Sequence, residues 1–362
     1  MRTKISALTA LIAAAALTLS ACSTSPSGTQ STPEATAEST DTATAETVNL
    51  PDPRTLTGVS SVAELPDPEP ISGDFTQQLP VTVTDVEGRQ VTVTDTSRIL
   101  ALDIYGTLSR TVISLGLGDK LVGRTISSTE AQLAKLPVVT ENGHSLNAEA
   151  ILSLKPTVIV ADRSVGPPEV LDQIAAAGVP VVLVEQERSL AKNGELMKTV
   201  AHALGMDQAG DALVTRTDKE IEEAKAQIAA WAPEKPLNGV FLYARGNAGV
   251  FFILGGGYGS DALLEGVGVH DIATAQGIKD LAPANAEALV SLNPEVYFMM
   301  THGLESAGGL EQLLTRPGIA DTIAGKNQRI VSIPDGMALS FGPQTAQVLL
   351  AVAKATYGVP AK

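Results

Sequence analysis

The twelve residues NAEAILSLKPTV, 147 to 158, return 138 positions later as NAEALVSLNPEV, 285 to 296, with eight of the twelve identical. A match of that length inside one chain marks a supersecondary unit used twice. In both copies Asn is suited to cap a helix N-terminus, Glu falls in the first turn where it complements the helix dipole, and Pro opens the approach to the next strand. A looser echo precedes each copy: ISLGLGDKLVG, from residue 113, and LLEGVGVHDIA, from residue 263, each stop a helix at Gly. The order of parts is shared, so two related lobes are expected.

The strand signals alternate with helical ones. In LPVTVTDVEGRQVTVTD, Val81, Val83, Val91 and Val93 alternate with polar residues around a turn at Gly88, which predicts a hairpin with one buried face. RILALD, PTVIVAD and VPVVLVE are short apolar runs separated by helical stretches, one through Leu108, Val112 and Leu115 and another over EVLDQIAAAG. That alternation predicts an α/β fold with mostly parallel sheets. From Asp211 to Pro233 no Gly or Pro intervenes, and Leu213, Ile221, Ala224 and Ile228 fall near one helical face. A single helix of about 33 Å is expected to join the lobes. The expected boundaries are an N-terminal lobe over 76–206, the connecting helix over 207–232 and a C-terminal lobe over 233–362.

The N-terminus carries an export signal over 1–21: Arg2 and Lys4 precede the apolar run ISALTALIAAAALTL, which is too short for a good membrane span, and LSAC follows. LSAC resembles a bacterial lipobox, which implies cleavage before Cys22 and a diacylglycerol on its sulfur. Cys22 is the only cysteine, so neither a disulfide framework nor a cysteine-based metal site is available. From Ser23 to about residue 75 the composition is Ser, Thr, Ala, Glu and Pro, which predicts a disordered tether over 22–75. The net charge of −15, with no Lys/Arg cluster, argues against a nucleic-acid partner. Neither a Gly-x-Ser-x-Gly elbow nor a His-Glu-x-x-His helix is present, so no enzyme is expected. GGGYGS, 255 to 260, lacks the Lys-Ser/Thr of a phosphate loop and reads as a turn.

Lipobox, tether, two βα lobes and a single connecting helix together resemble the substrate-binding proteins of ABC importers for iron compounds, the class that takes siderophores, haem and cobalamin. The hairpin before RILALD and the AEAILSLKPTVIVAD stretch are the most specific parts of the likeness. It implies the class III periplasmic-binding-protein arrangement, with the ligand in the cleft between lobes and little hinge motion. It also implies one docking carboxylate per lobe for the permease, and Glu149 and Glu287 occupy that position in the two repeats. The same glutamates favour their helix N-termini whether or not they dock.

Tyr243 and Arg245 lie where a strand of the second lobe runs out, on the same side of the chain by alternation. A cation beside a phenol favours tyrosinate, an anionic oxygen ligand suited to ferric iron and attested for haem. A tyrosine at a strand end serves equally as an amphipathic edge residue, and the pair alone leaves both readings open. Of the four histidines, His202 falls on a helix surface, His270 in a Gly/Val turn and His302 at the end of a strand, whereas His144 stands in the polar loop ENGHSLNAEA before the first repeat. NGHS followed ninety-nine residues later by YAR is similar to the haemin-binding lipoproteins of Gram-positive bacteria. That likeness implies His144 and Tyr243 as axial ligands of Fe(III) haem, with Arg245 as partner of the tyrosine oxygen. Met299, Met300, Tyr258 and Phe252 are further candidates for the cleft wall, and Arg124 and Arg163 for the propionates. The expected protein is a monomeric haem carrier outside the cytoplasmic membrane, held there only by its lipid. Its expected partners are the permease and ATPase of a haem importer and surface haem-relay proteins. A ferric-siderophore binder is the alternative; it calls for several cleft arginines or aromatics and gives His144 no role.

Overall fold

Both copies of the repeat fold alike. In a computed structural model, which describes residues 50–246 and 249–360, Asn147 Oδ1 accepts from the Ala150 N–H at 2.9 Å and Asn285 Oδ1 from the Ala288 N–H at 2.9 Å. These are the caps of helices Ala148–Ser153 and Ala286–Leu292. The likeness continues past the helices. Lys155 and Asn293, the ninth residues of the two copies, both adopt the left-handed region, with φ of 46° and 44°. Each turn then feeds a buried strand, Val158–Ala161 or Val296–Met300. The repeated unit is therefore a capped helix, a left-handed turn, proline and a parallel core strand.

The first of these strands is central in a three-stranded parallel sheet, between Ile99–Leu102 and Val181–Leu183. All three are buried on both faces, and alternation divides them between two cores. Ile99, Ala101, Val158, Val160 and Val182 point to one cluster, and Leu100, Leu102, Ile159, Ala161 and Leu183 to the other. Val296–Met300 lies in a larger mixed sheet, between Ile330–Ile333 and Asn238–Arg245. There Phe241, Phe298, Val331 and Ile333 face one core while Val240, Leu242, Tyr297 and Met299 face the other. The expected hairpin is present as Val81–Thr84 paired antiparallel with Gln90–Val93.

The long helix runs from Asp207 to Ala229, 23 residues, stopping three short of the expected end. Leu213 and Val214 belong to the core of the first sheet, and Ile228 to a core of the second. Between them Ile221 and Ala224 pack on Ala346 of the C-terminal helix Thr345–Tyr357. One rigid element thus serves the cores of both sheets. Its close seat requires Gly210, because a methyl there would meet Ala201 Cβ at 2.4 Å.

The tether expected to reach residue 75 ends earlier. Val59–Ser61 is an edge strand, parallel to Ile330–Ser332 of the second sheet, and Arg54 forms an ion pair with Glu295 at 2.8 Å. The chain then moves to the first half: Asp67 accepts from the Ala131 and Gln132 N–H groups at 2.6 and 2.8 Å, and the Ile71 N–H donates to the Ser114 carbonyl at 2.7 Å. This strap is held by backbone hydrogen bonds, two charged side chains and a few apolar residues such as buried Val62. Its Pro-rich and acidic composition does not register such partners. The signal segment, Cys22 and the tether as far as residue 49 lie outside the described residues. A chain beginning at residue 76 is expected to melt on the order of 5 °C below one beginning at residue 50. Equal midpoints by circular dichroism would show that the strap contributes no stability.

Candidate functional site

Asn238–Arg245 is buried from Gly239 to Leu242 and becomes partly accessible again towards its end, at Tyr243 and Arg245. Tyr243 and Arg245 emerge there on one face, the guanidinium carbon 4.9 Å from the centre of the phenol ring. The expected contact between Arg245 and the phenol oxygen is replaced by stacking over the ring. The guanidinium N–H groups go elsewhere: Nη2 donates to Asp335 Oδ1 at 2.7 Å and to Met300 Sδ at 3.2 Å, and Nη1 to the Ala244 carbonyl at 3.2 Å. The Tyr243 hydroxyl makes no hydrogen bond among the described residues, and its ring is half-buried beside its cross-strand neighbour Phe252. An open phenol oxygen on a supported ring is what an oxygen-seeking metal needs.

The two methionines separate. Met299 is fully buried in the core on the opposite face of the sheet, which removes it from the site, whereas Met300 is half-buried and touches Arg245. Tyr258 ends the short turn Gly256–Tyr258 and packs against the same core as Tyr243 and Met300. His302 is exposed on helix Thr301–Ser306, His202 is exposed and bonded to Asp207 at 2.9 Å, and His270 is exposed on a short edge strand.

His144 sits at the tip of the small hairpin Thr140–Glu141/Ser145–Leu146, after Asn142 and Gly143 with φ of 49° and 91°. Its carbonyl accepts from the Gly166 N–H at 3.0 Å, while its exposed ring is unbonded among the described residues. The structure thus gathers Tyr243, Arg245, Met300 and Asp335 into one contact group, with His144 outside it. Arg124 is half-buried, with Nη1 on the Thr125 and Ser128 carbonyls and Nε lacking a partner. Arg163 is already neutralised: it binds Glu87 at 2.8 Å and Asp172 at 3.1 Å. It is therefore a surface network residue, not a propionate site. Asp335 was not visible from the sequence, because its partner lies 90 residues away.

A second polar cluster, also without a local sequence signal, lies buried where the strands of the first sheet end: Asp103 and Asp162 directly follow Leu102 and Ala161. Arg188 stacks 4.8 Å from the Tyr105 ring centre and pairs with both Asp103 and Asp162. Nearby, Thr107 and Arg110 donate to Ser340, a residue of the loop after Ile330–Ile333, and Arg110 pairs with Glu130 at 2.7 Å. These bonds tie the two halves of the chain together. Burial raises Asp162 to about 6 against the pull of Arg188, and the neighbouring Asp103 adds to the rise. Burial wins because one guanidinium serves two carboxylates. A carboxyl with a raised folded pKa is protonated in the folded state while ionised in the unfolded chain, so it lowers stability as pH climbs from about 4 to 6. Relative to Asp162→Asn, the wild-type unfolding free energy is expected to fall as pH rises through that window, by on the order of 1 kcal/mol per pH unit at most. Parallel pH curves from urea titrations would contradict this.

The profile of the periplasmic binding protein family matches residues 104–336. This chain belongs to that family. As a periplasmic binding protein it is similar to a solved structure of the heme binding protein HmuT, with 51% identity over 85% of this chain and 99% of that one, and a TM-score of 0.83. Structures of that relative also exist with alanine at a histidine, at a tyrosine 99 residues further on and at an arginine two beyond the tyrosine. His144, Tyr243 and Arg245 of this binding protein have the same spacings. The periplasmic heme-binding protein RhuT from Roseiflexus sp. RS-1 is 34% identical over 73% of this chain and 99% of its own, with a TM-score of 0.68. Vitamin B12-binding proteins of Yersinia pestis are 42% identical over 66 residues, so the chain spans only 24% of the length of these curated relatives.

Proposed function

We propose that this protein binds ferric haem as cargo between its two lobes, outside the cytoplasmic membrane, and hands it to an ABC-type importer without chemistry on the ligand. The carrying observation is Tyr243: a half-buried phenol at a strand end, stacked on a cation and with its hydroxyl unbonded. A phenolate oxygen and an imidazole nitrogen suit Fe(III), and tyrosine and histidine both serve as axial haem ligands. We assign these roles to Tyr243 from the C-terminal lobe and His144 from the N-terminal lobe, with Arg245 supporting the tyrosine. The spacing shared with the substituted residues of the HmuT relative supports that assignment. Met300 and Tyr258, with Phe252 beside Tyr243, supply apolar wall for a porphyrin, and half-buried Arg124 is the candidate cation for a propionate.

The lobes divide at the helix Asp207–Ala229, the N-terminal one preceded by the strap. Glu149 and Glu287, exposed and outside any ion pair among the described residues, are read as docking carboxylates for cations of the permease. Lipidated Cys22 would hold the protein at the membrane; among the described residues no helix is long and apolar enough to cross it. The ATPase of the importer and surface haem-relay proteins complete the partners of a monomeric carrier.

Titrating residues 50–362 with haemin should give a sharpened Soret band saturating at a fixed stoichiometry. No spectral change, with tight binding of a ferric siderophore instead, would sink the haem reading.

A further inference from the structure

Arg245 is enclosed on several sides. The Tyr243 ring lies against its face, Met300 Sδ and Asp335 hold Nη2, and a methyl at Gly303 would stand 2.9 Å from Nη1. Asp335 is itself fixed at both oxygens, Oδ1 by Arg245 and Oδ2 by the His302 N–H at 2.9 Å. That second bond serves helix Thr301–Ser306, whose N-cap residue Met300 provides no side-chain cap. Its loop is anchored in turn, since the neighbouring Gly336 lies so close to Thr129 that a methyl would meet Thr129 Oγ1 at 2.1 Å. The carboxylate therefore has one available orientation, against the guanidinium.

We propose that Asp335 is the positioning residue of this site: it holds Arg245 over Tyr243 and, as counter-charge, sets how strongly that cation draws on the phenol oxygen. The inference rests on the reading of Tyr243 as an iron ligand. A bare guanidinium beside a phenolate pulls electron density from the oxygen and makes it a weaker donor to Fe(III). With a carboxylate 2.7 Å away the pair is close to neutral, and the tyrosine remains a strong donor. Asp335 thus biases the site toward ferric over ferrous haem.

The sign of the effect separates this role from a structural one. In Asp335→Asn the amide oxygen can still accept from the His302 N–H, but Arg245 is left uncompensated. The preference for ferric over ferrous haem should fall roughly tenfold, seen as a raised midpoint potential in spectroelectrochemistry. Arg245→Ala leaves Asp335 uncompensated and should move the potential the other way, while the double variant returns toward wild type. Loss of packing alone predicts shifts of one direction in all three, and that pattern would overturn the proposal. A readout without haem uses the unsubstituted apo protein: the Arg245 guanidinium should give slowly exchanging proton–nitrogen NMR signals, and fast exchange there also overturns it, whether or not Asp335→Asn folds. If Tyr243→Ala leaves the Soret band unchanged, the underlying assignment fails; if the band changes but the opposite signs do not appear, only the role of Asp335 fails.

Discussion

Tyr243→Ala is expected to weaken ferric haemin binding on the order of 100-fold, about 2.7 kcal/mol, and to move the Soret band. The substitution removes the oxygen proposed to bind the iron. It also removes the ring on which Arg245 rests, so Arg245 is expected to turn fully toward Asp335. Tyr243→Phe separates the two effects, because the ring and its stacking remain while the oxygen goes. Its affinity should fall nearly as far as that of the alanine variant. Haemin affinity in Tyr243→Phe equal to that of the unsubstituted protein would mean that the phenol is only a wall of the cleft.

The second large effect belongs to transport. Glu149 and Glu287 occupy the same place in the repeat, both in the first turn of an Asn-capped helix and both exposed. Losing one charged partner of a docked pair costs roughly 2–5 kcal/mol. Single alanine variants should therefore lower haem transfer into vesicles carrying the permease at least tenfold, and the double variant should abolish it. Haemin affinity in solution reports a different surface and should stay as it was. Undiminished transfer by the double variant would remove these helices from the interface.

Where the sequence was legible, the reason was local. Asn147 and Asn285 cap their helices through bonds three residues long, so their roles follow from spacing. Val81, Val83, Val91 and Val93 pair across one short turn, and the long helix Asp207–Ala229 contains no proline. Tyr243 and Arg245 share a face because strands alternate. That same alternation implies that Met299 and Met300 point to opposite faces, and only Met300 reaches the site.

What escaped the sequence depends on partners far along the chain. Arg163 is neutralised by Glu87, 76 residues earlier, and Asp335 reaches back 90 residues to Arg245. The strap over residues 52–71 looked like tether because the Val59–Ser61 strand draws its hydrogen bonds from an edge formed more than 260 residues later. The buried group of Asp103, Asp162 and Arg188 carries no local signature either, since each charge is explicable only by the other two.

The haem reading stands on a bond between the Tyr243 oxygen and the iron of ferric haem. Resonance Raman spectra of the haemin-loaded protein, excited within a tyrosinate-to-iron charge-transfer band, test it most directly. Tyrosinate modes are expected in the unsubstituted protein and should vanish in Tyr243→Phe. Identical spectra from the two proteins, or no tyrosinate modes in either, would contradict it.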